Sequence, residues 1–257
     1  NKIIMNTIVP FSHPMYIMLK PAGSLCNLRC KYCYYLEKSK LYDDNKNHVI
    51  TDALLEKFIK EYIEAQTTPQ VLFTWHGGET LMRPISFYRR ALELQRYYAR
   101  GRQIDNSIQT NGVLLNDEWC RFFKENNFLV GVSIDGPQEF HDEYRRNAMG
   151  KPSFHQVMKG INLLNKHGVE WNALAVVNDF NADYPLDFYH FFKEIGCRYI
   201  QFTPIVERIV DRNDGLTLAP GMKEGGELTD FSVTAEQWGN FLCTIFDEGV
   251  HHDVGEY

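Results

Sequence analysis

Apolar residues along the chain fall into six short runs, which are separated by segments with the apolar spacing of helices. Each run is bounded by polar or turn-forming residues, a pattern that predicts a β-strand. The predicted strands are Met15–Lys20, Val71–Trp75, Asn106–Thr110, Leu129–Ile134, Trp171–Val177 and Tyr199–Thr203.

The segments between these strands carry start and stop residues typical of helices. A side chain that can cap a helix precedes residues 52–65 (Thr51), 87–100 (Ser86), 117–126 (Asn116) and 154–167 (Ser153). Glycines end the predicted helices at Gly101, at Gly168 and, after Pro185–Ile195, at Gly196. A polar, glycine-rich loop over Glu207–Asp230 then leads to a last helix near Thr234–Glu248.

Repeated strand–helix units over residues 15–204 predict a parallel sheet covered by helices. Six units fit either a doubly wound sheet or a partial barrel that is open on one side, and periodicity does not separate the two. Polar residues follow every strand at its carboxyl end, where α/β enzymes place their active sites. These residues are Cys26–Cys33, His76–Glu79, Gln109–Gly112, Ser133–Gly136, Asn178–Asp179 and Thr203–Pro204.

Composition is consistent with one α/β domain over residues 1–257, since 44% of the residues are hydrophobic. The net charge of -6 and the lack of a lysine or arginine block give no support for binding nucleic acid or an anionic membrane. The chain has no apolar run long enough to span a membrane, and residues 1–14 lack the order of a secretion signal. We therefore expect a soluble, cytoplasmic protein.

Cys26, Cys30 and Cys33 form the most informative motif, C-x3-C-x2-C. Three thiolates can each bind one iron of a [4Fe–4S] cluster, which leaves the fourth iron open to a substrate or cofactor. A structural zinc site completed by His13 or a distant cysteine, or a chance cluster of thiols, would be alternatives. The isolated Cys120, Cys197 and Cys243 are predicted to be small buried apolar residues, and a disulfide framework is not expected.

The cysteine motif, followed by Tyr34 and Tyr35, resembles the signature of the radical S-adenosylmethionine (radical SAM) superfamily. Longer strings, among them MYIMLKPAGSLCNLRCKYCYYLEKSKLY, FTWHGGETLMRP and GVSIDGPQEFHDEYRRN, resemble the anaerobic sulfatase-maturating enzymes. This resemblance implies a partial (β/α)6 TIM-type barrel, the radical SAM core. It also implies oxidation of a Cys or Ser of a sulfatase polypeptide to formylglycine by a 5′-deoxyadenosyl radical. Reduced flavodoxin or ferredoxin is then the expected electron donor.

The resemblance also assigns residues to the binding of S-adenosylmethionine (SAM). The glycine-rich segment would bind the methionine ammonium, Ser133 and Arg145 its carboxylate, and Asn111 the ribose, while Tyr32 and Val206 would line the adenine. Because a guanidinium matches a carboxylate in shape and charge, Arg145 is a physically sound candidate. The predicted SAM-binding residues are Tyr32, Gly77, Gly78, Glu79, Asn111, Ser133, Arg145 and Val206.

Four further residues near these motifs are assigned less specific roles. Tyr35 and Trp75 are predicted to lie near the open side of the site, in contact with the substrate peptide. His76 is predicted to orient the turn by hydrogen bonding, and Asp135 to serve as a turn residue before Gly136.

Members of the resembled family carry a further cysteine-rich region, which would follow residue 257, so we expect this chain to be the radical SAM core of a longer protein. Two auxiliary [4Fe–4S] clusters and the catalytic base are therefore expected only in a longer chain. We expect this chain to bind the first cluster and SAM but to make little formylglycine. Formation of a thioether or cross-link in a peptide is the alternative reaction, and a non-catalytic metal-binding or electron-transfer module is the alternative outside enzymes.

Overall fold

The computed structural model describes residues 13–38, 49–207 and 228–255 and contains a six-stranded parallel sheet. The strands lie side by side in chain order, so each strand pairs with the next one along the sequence. Within the described residues, the first and last strands are the two edges of the sheet, which is therefore open. The strands are β1 (Met18–Leu19), β2 (Gln70–Trp75), β3 (Gln103–Thr110), β4 (Phe128–Ser133), β5 (Trp171–Val177) and β6 (Ile200–Pro204).

Helices connect the strands. In chain order they are α1 (Tyr35–Lys38), α2 (Asp52–Ala65), α3 (Ile85–Tyr98), α4 (Asp117–Glu125), α5 (Gln138–Tyr144), α6 (Phe154–His167), α7 (Pro185–Glu194) and α8 (Ala235–His252). A short 3-10 helix, Thr80–Met82, follows β2. No helix in the described ranges is long and apolar enough to cross a membrane.

The core lies between the sheet and its helices, and the four middle strands supply most of it. In β2, alternate residues Val71, Phe73 and Trp75 are buried, and they pack against buried residues of α2 and α3. The register between β2 and β3 runs unbroken from Gln70 opposite Gln103 to Trp75 opposite Ile108. This regular pairing brings the carboxyl ends of neighbouring strands to one edge, as parallel strands require.

The open parallel sheet confirms the predicted fold class and all six predicted strands, although several boundaries differ. The first strand shortens to two residues, and β3 begins three residues before the predicted Asn106. Thr51 and Asn116 cap their helices as predicted, each accepting a backbone hydrogen bond. The predicted Ser86 cap is wrong, because α3 already begins at Ile85 after Pro84.

Three other differences concern the second half of the chain. Helix α5 was not predicted, and α8 extends four residues beyond the predicted Glu248. Most of the predicted loop Glu207–Asp230 lies outside the described residues. Cys120 and Cys197 are buried as predicted, but Cys243 is exposed because it lies on the solvent side of α8.

Gly168 and Gly239 allow one substitution to be tested with opposite expected signs. Gly168 ends α6 with a φ of 62°, whereas Gly239 lies exposed within α8 and has no atom within 4 Å of an added Cβ. We expect Gly168→Ala to lower the free energy of unfolding by about 1 kcal/mol, because alanine disfavours the left-handed conformation. We expect Gly239→Ala to raise it by about 0.5–1 kcal/mol through helix propensity. Urea unfolding measures both, and equal signs would contradict the prediction.

Candidate active site

The loop after β1 carries the three cysteines of the C-x3-C-x2-C motif. The backbone N–H of Leu28 donates to Cys26 Sγ at 3.4 Å, and the N–H of Cys33 donates to the carbonyl of Cys30 at 2.9 Å. All three side chains are free thiols. Burial raises the pKa of Cys26 and raises that of Cys30 to about 12, so both are neutral until a cation offsets the thiolate charge.

The donor set of this loop fits an iron–sulfur cluster better than a single metal ion. Cys26, Cys30 and Cys33 lie close enough for the charge on one to raise the pKa of another. Within the ranges that the structure describes, no three His, Cys, Asp or Glu side chains converge tightly enough to hold one ion. Ligands of a cubane bind different irons and therefore stand farther apart than ligands of one ion. Three unpaired thiols in one loop match that requirement.

The segment after β2 holds the cysteine loop through main-chain contacts. His76 N–H donates to Leu19 O at 2.8 Å, Gly78 N–H to Gly23 O at 2.9 Å, and Glu79 N–H to Leu25 O at 2.7 Å. A Cβ added at Gly78 would lie 2.2 Å from Leu25 O. Glycine is therefore required at position 78 because the two backbones touch there.

The Glu79 carboxylate is fully buried within a set of donors. Its Oε1 accepts from Leu81 N–H at 2.8 Å and from the Thr110 hydroxyl at 2.7 Å, and its Oε2 accepts from Asn111 N–H at 2.7 Å. Burial raises the pKa of Glu79, while these hydrogen bonds act in the opposite direction. Oε2 accepts from one described donor only, so it keeps a lone pair for the predicted contact with an ammonium group.

Asn111 and Ser133 stand at the carboxyl ends of β3 and β4, beside the cysteine loop. The Asn111 side-chain amide donates to Asn27 Oδ1 at 2.7 Å and lies 3.7 Å from Cys26 Sγ. The Ser133 hydroxyl accepts from Gln109 Nε2 at 3.4 Å. The structure therefore brings the predicted ribose-binding and carboxylate-binding residues to the same edge as the thiols.

Arg145 is buried and paired with Asp135, a residue that the sequence indicated only as part of a turn. Arg145 donates from Nε to Asp135 Oδ2 at 2.8 Å and from Nη2 to Asp135 Oδ1 at 3.0 Å. Tyr32 donates its hydroxyl to Asp135 Oδ2, and its ring lies 5.6 Å from the guanidinium carbon. Asp135 thus joins the cysteine loop to the predicted carboxylate-binding arginine.

His141 and Ser153 are two buried polar residues beside this pair. The sequence did not single out His141, and Ser153, predicted to cap α6, makes no capping side-chain hydrogen bond. Asp135 N–H donates to His141 Nδ1 at 3.4 Å, and His141 Nε2 lies 3.0 Å from Ser153 Oγ. The Ser153 hydroxyl donates to the carbonyl of Arg145 at 2.7 Å. Burial, followed by the nearby Arg145 charge, lowers the pKa of His141 to about 4, so the ring is neutral near pH 7.

The sequence profile described as the Radical SAM superfamily matches residues 21–192, which include the three cysteines, the glycine-rich segment, Asn111, Ser133 and Arg145 but not Val206. The chain belongs to the radical SAM superfamily. The resemblance indicated by the cysteine motif and the segment Gly77–Glu79 is therefore confirmed.

Individual relatives within the radical SAM superfamily support the finer resemblance. The chain is 72% identical over 253 residues to the serine-type anaerobic sulfatase-maturating enzyme of Bacteroides thetaiotaomicron, covering 98% of the chain and 61% of that protein. It is 36% identical to the cysteine-type enzyme of Clostridium novyi, covering 90% of the chain and 58% of that protein. The predicted resemblance to the anaerobic sulfatase-maturating enzymes is confirmed.

A solved structure described as native anSMEcpe with bound AdoMet and Cp18Cys peptide superposes with a TM-score of 0.79 at 29% identity. The superposition covers 93% of this chain and 61% of that one. The chain therefore spans less than two thirds of the length of each of these three proteins.

The structure places the predicted substrate contacts, Trp75 and Tyr35, and the predicted adenine contact, Val206, at different depths from the surface. Trp75 is only 1% exposed, packs at 5.5 Å from the Tyr88 ring and donates to Asn106 Oδ1 at 2.8 Å. The prediction that it lies on the open side is wrong, because it is a core residue. Tyr35 lies mostly buried with Lys20 Nζ over its ring at 4.8 Å, and Val206 is exposed just beyond β6.

His76 behaves as the sequence indicated. Its Nδ1 accepts a hydrogen bond from Gly77 N–H at 2.7 Å, which orients the turn. Burial and the nearby Lys20 lower the pKa of His76.

Gly78→Ala tests whether the close contact between backbones holds the cysteine loop. The added Cβ would meet backbone atoms of Ser24 and Leu25, which cannot rotate away. We expect the free energy of unfolding to fall by about 1–3 kcal/mol, and Cys30 to react faster with a thiol reagent. The control is Gly249→Ala in α8, where the nearest atom lies at 3.6 Å. Unchanged Cys30 reactivity in Gly78→Ala would contradict the prediction.

The buried His141 predicts a loss of stability at acid pH. Its pKa is about 4 in the folded chain against an ordinary 6.5, so the unfolded state binds more protons between these values. The free energy of unfolding should fall as pH decreases through this window, by at most about 1.4 kcal/mol per unit from this residue. His141→Gln, which does not titrate, should show a shallower dependence in urea unfolding. An equal slope in the two proteins would rule out this role.

Proposed function

We propose that this chain is the core of an enzyme that oxidises a serine or cysteine of a sulfatase polypeptide to formylglycine. The observation that carries the proposal is the convergence of three free thiols, the glycine-rich segment and the buried Arg145 at one edge of the sheet. The names and identities of the relatives support it, since both the serine-type and cysteine-type proteins are described as sulfatase-maturating.

Cys26, Cys30 and Cys33 would hold a [4Fe–4S] cluster, and the residues around them would hold SAM. When bound, the cluster and SAM would together supply the one-electron reductive cleavage of the SAM sulfonium, the radical chemistry needed to remove a hydrogen from the substrate side chain. The SAM-binding residues proposed are Tyr32, Gly77, Gly78, Glu79, Asn111, Ser133, Arg145 and Val206.

Four of these residues have a physical role that follows from their surroundings. The lack of side chains at Gly77 and Gly78 lets the main chain at Gly23 and Leu25 approach closely, which holds the cysteine loop beside the proposed ligand. The buried Glu79 carboxylate favours a ligand ammonium, and the buried Arg145 guanidinium favours a ligand carboxylate. Burial strengthens both interactions by excluding water.

Serine is the substrate residue that the comparisons favour. The serine-type relative is 72% identical to the chain, whereas the cysteine-type relative is 36% identical. Tyr35, which is 9% exposed, remains the proposed contact for the substrate peptide, whereas Trp75 is withdrawn because it is only 1% exposed. We further propose that reduced flavodoxin or ferredoxin supplies the electron, in the cytoplasm.

The length of the relatives bears on how much of the reaction this chain performs. The chain aligns with 61% of the serine-type relative, and the remaining part of that protein lies outside the alignment. We propose that the chain binds the cluster and SAM but gives little formylglycine, with the catalytic base and two auxiliary clusters supplied by that remaining part.

Anaerobic reconstitution with iron and sulfide tests the binding half of the proposal. We expect about four irons and four sulfides per chain. The electronic absorption spectrum or the electron paramagnetic resonance spectrum of the cluster should change when SAM is added. A triple Cys→Ala variant at positions 26, 30 and 33 should lose both iron and spectrum. The matched control is Cys243→Ala, which replaces an exposed cysteine outside the motif and should leave the iron content and the spectrum unchanged. Bound zinc, or a cluster whose spectrum ignores SAM, would overturn the proposal.

Product analysis tests the reaction half. The reconstituted chain, with a reductant and SAM, is given sulfatase peptides that contain serine or cysteine at the modified position. Mass spectrometry after trapping with a hydrazine identifies an aldehyde, which a thioether or a cross-link would not form. Trace aldehyde, more from the serine peptide, is expected. A thioether or cross-link would favour the other peptide-modifying reaction, and turnover equal to that of the full-length relative would contradict the proposed incompleteness.

A further inference from the structure

His141 and Ser153 form a closed set of hydrogen bonds around the ion pair of Arg145 and Asp135. Asp135 N–H donates to the His141 ring, and Arg145 N–H donates to the His141 carbonyl at 2.9 Å. Ser153 lies between the far side of that ring and the Arg145 carbonyl. His141 therefore binds the main-chain N–H of Asp135 and of Arg145 directly, and it reaches the carbonyl of Arg145 through Ser153.

The hydrogen-bond directions in this set select one form of His141. Nδ1 accepts from a backbone N–H, so the ring proton resides on Nε2. The Ser153 hydroxyl donates its hydrogen bond to the Arg145 carbonyl, so the Ser153 oxygen can accept a hydrogen bond from His141 Nε2–H. When the His141 ring is neutral, every donor in this set has an acceptor, and burial of the ring favours this neutral form. Protonation of Nδ1 would place two N–H groups face to face.

Burial makes this arrangement rigid. His141, Ser153 and Asp135 are each at most 1% exposed, and Arg145 is 7% exposed. Asp142 adds a further restraint, because its Oδ1 accepts from the N–H groups of Ser153 and Phe154 at 3.0 and 2.9 Å. Ser153 is thereby fixed at the start of α6.

Asp135 fixes the orientation of the Arg145 guanidinium by binding two of its N–H groups. Nε and Nη2 are both used by Asp135, whereas Nη1 makes no hydrogen bond to another described residue. A ligand carboxylate can therefore meet Arg145 through Nη1 and the second N–H of Nη2 while the ion pair stays intact. A two-point contact of this kind has a fixed geometry, so it depends on where the backbone places the guanidinium.

We propose that His141 and Ser153 are positioning residues that set the preference of this site for a ligand with an α-carboxylate. The proposal rests on the proposed function, since SAM is the ligand concerned. The two residues make no contact with the ligand; they act by fixing the backbone from which Arg145 and Asp135 extend. Loss of either hydrogen bond would let the Nη1 donor move away from the carboxylate.

The test compares SAM with decarboxylated SAM, which keeps the sulfonium, the amine and the adenosine. Dissociation constants for both are measured anaerobically on the reconstituted chain by equilibrium dialysis. In the unmodified chain SAM should bind more tightly. In Ser153→Ala, and separately in His141→Gln, this preference should fall about tenfold, roughly the loss of one hydrogen bond to a charged group. The affinity for decarboxylated SAM should stay within about twofold, because Arg145 has no carboxylate to bind in that ligand.

A second measurement needs neither cluster nor SAM. Hydrogen exchange at the Arg145 Nε–H, followed by nitrogen-15 NMR on the chain alone, reports how firmly Asp135 holds the guanidinium. We expect faster exchange in Ser153→Ala and His141→Gln, with protection regained in Ser153→Thr, which keeps the hydroxyl. Because His141 and Ser153 act in series, the double variant should lose no more preference than either single variant.

Thr234→Ala is the matched control, since it removes the exposed capping hydrogen bond at the start of α8 and does not touch Arg145. It should lower stability but leave the ligand preference unchanged. If Ser153→Ala does not fold, His141→Gln decides the same question. An unchanged preference in the folded variants, or an equal loss in the control, would overturn the proposal. Failure of the unmodified chain to bind either ligand would instead contradict the proposed function.

Discussion

The contact between two stretches of main chain, residues 19–25 and 76–79, is the constraint on which the site depends. Three hydrogen bonds join them, and at Gly78 the backbones are too close for any side chain. The cysteine loop begins at the end of β1, which has only two residues and contributes little pairing of its own. The hydrogen bonds from the segment after β2 therefore hold the start of the cysteine loop, which the short β1 holds only weakly. The thiols are positioned in this way relative to the rest of the sheet edge.

Buried charges at this edge are already satisfied by protein groups. Glu79 accepts from two backbone N–H groups and a hydroxyl, and Asp135 accepts from Arg145, Tyr32 and Val176 N–H. Such groups lose little freedom when a ligand arrives, because their rotamers are already fixed by these contacts. The site is therefore organised for binding by its own hydrogen bonds, and a ligand needs to complete only the remaining positions, such as Arg145 Nη1 and the second lone pair of Glu79 Oε2.

The sequence predicted the order of strands and helices well, because apolar runs and caps such as Thr51 and Asn116 are local signals. It also located the three thiols and the glycine-rich segment. Trp75 was misplaced although the signal was present: Val71, Phe73 and Trp75 share one face of β2, so all three point into the core. Asp135 was missed for a different reason, since its partner Arg145 comes ten residues later, after a helix that the pattern did not predict.

Arg145 connects the two kinds of chemistry at this edge. Its positive charge lowers the pKa of Cys30, although burial of that thiol has the larger, opposite effect. A guanidinium that is always charged thus favours the thiolate needed to bind iron, and the same group is positioned to favour a ligand carboxylate. Asp135 offsets this charge, which avoids an uncompensated cation in a buried site. His141 beside the pair is held neutral mainly by its burial, and the Arg145 charge lowers its pKa further while the Asp135 and Asp142 carboxylates act in the opposite direction.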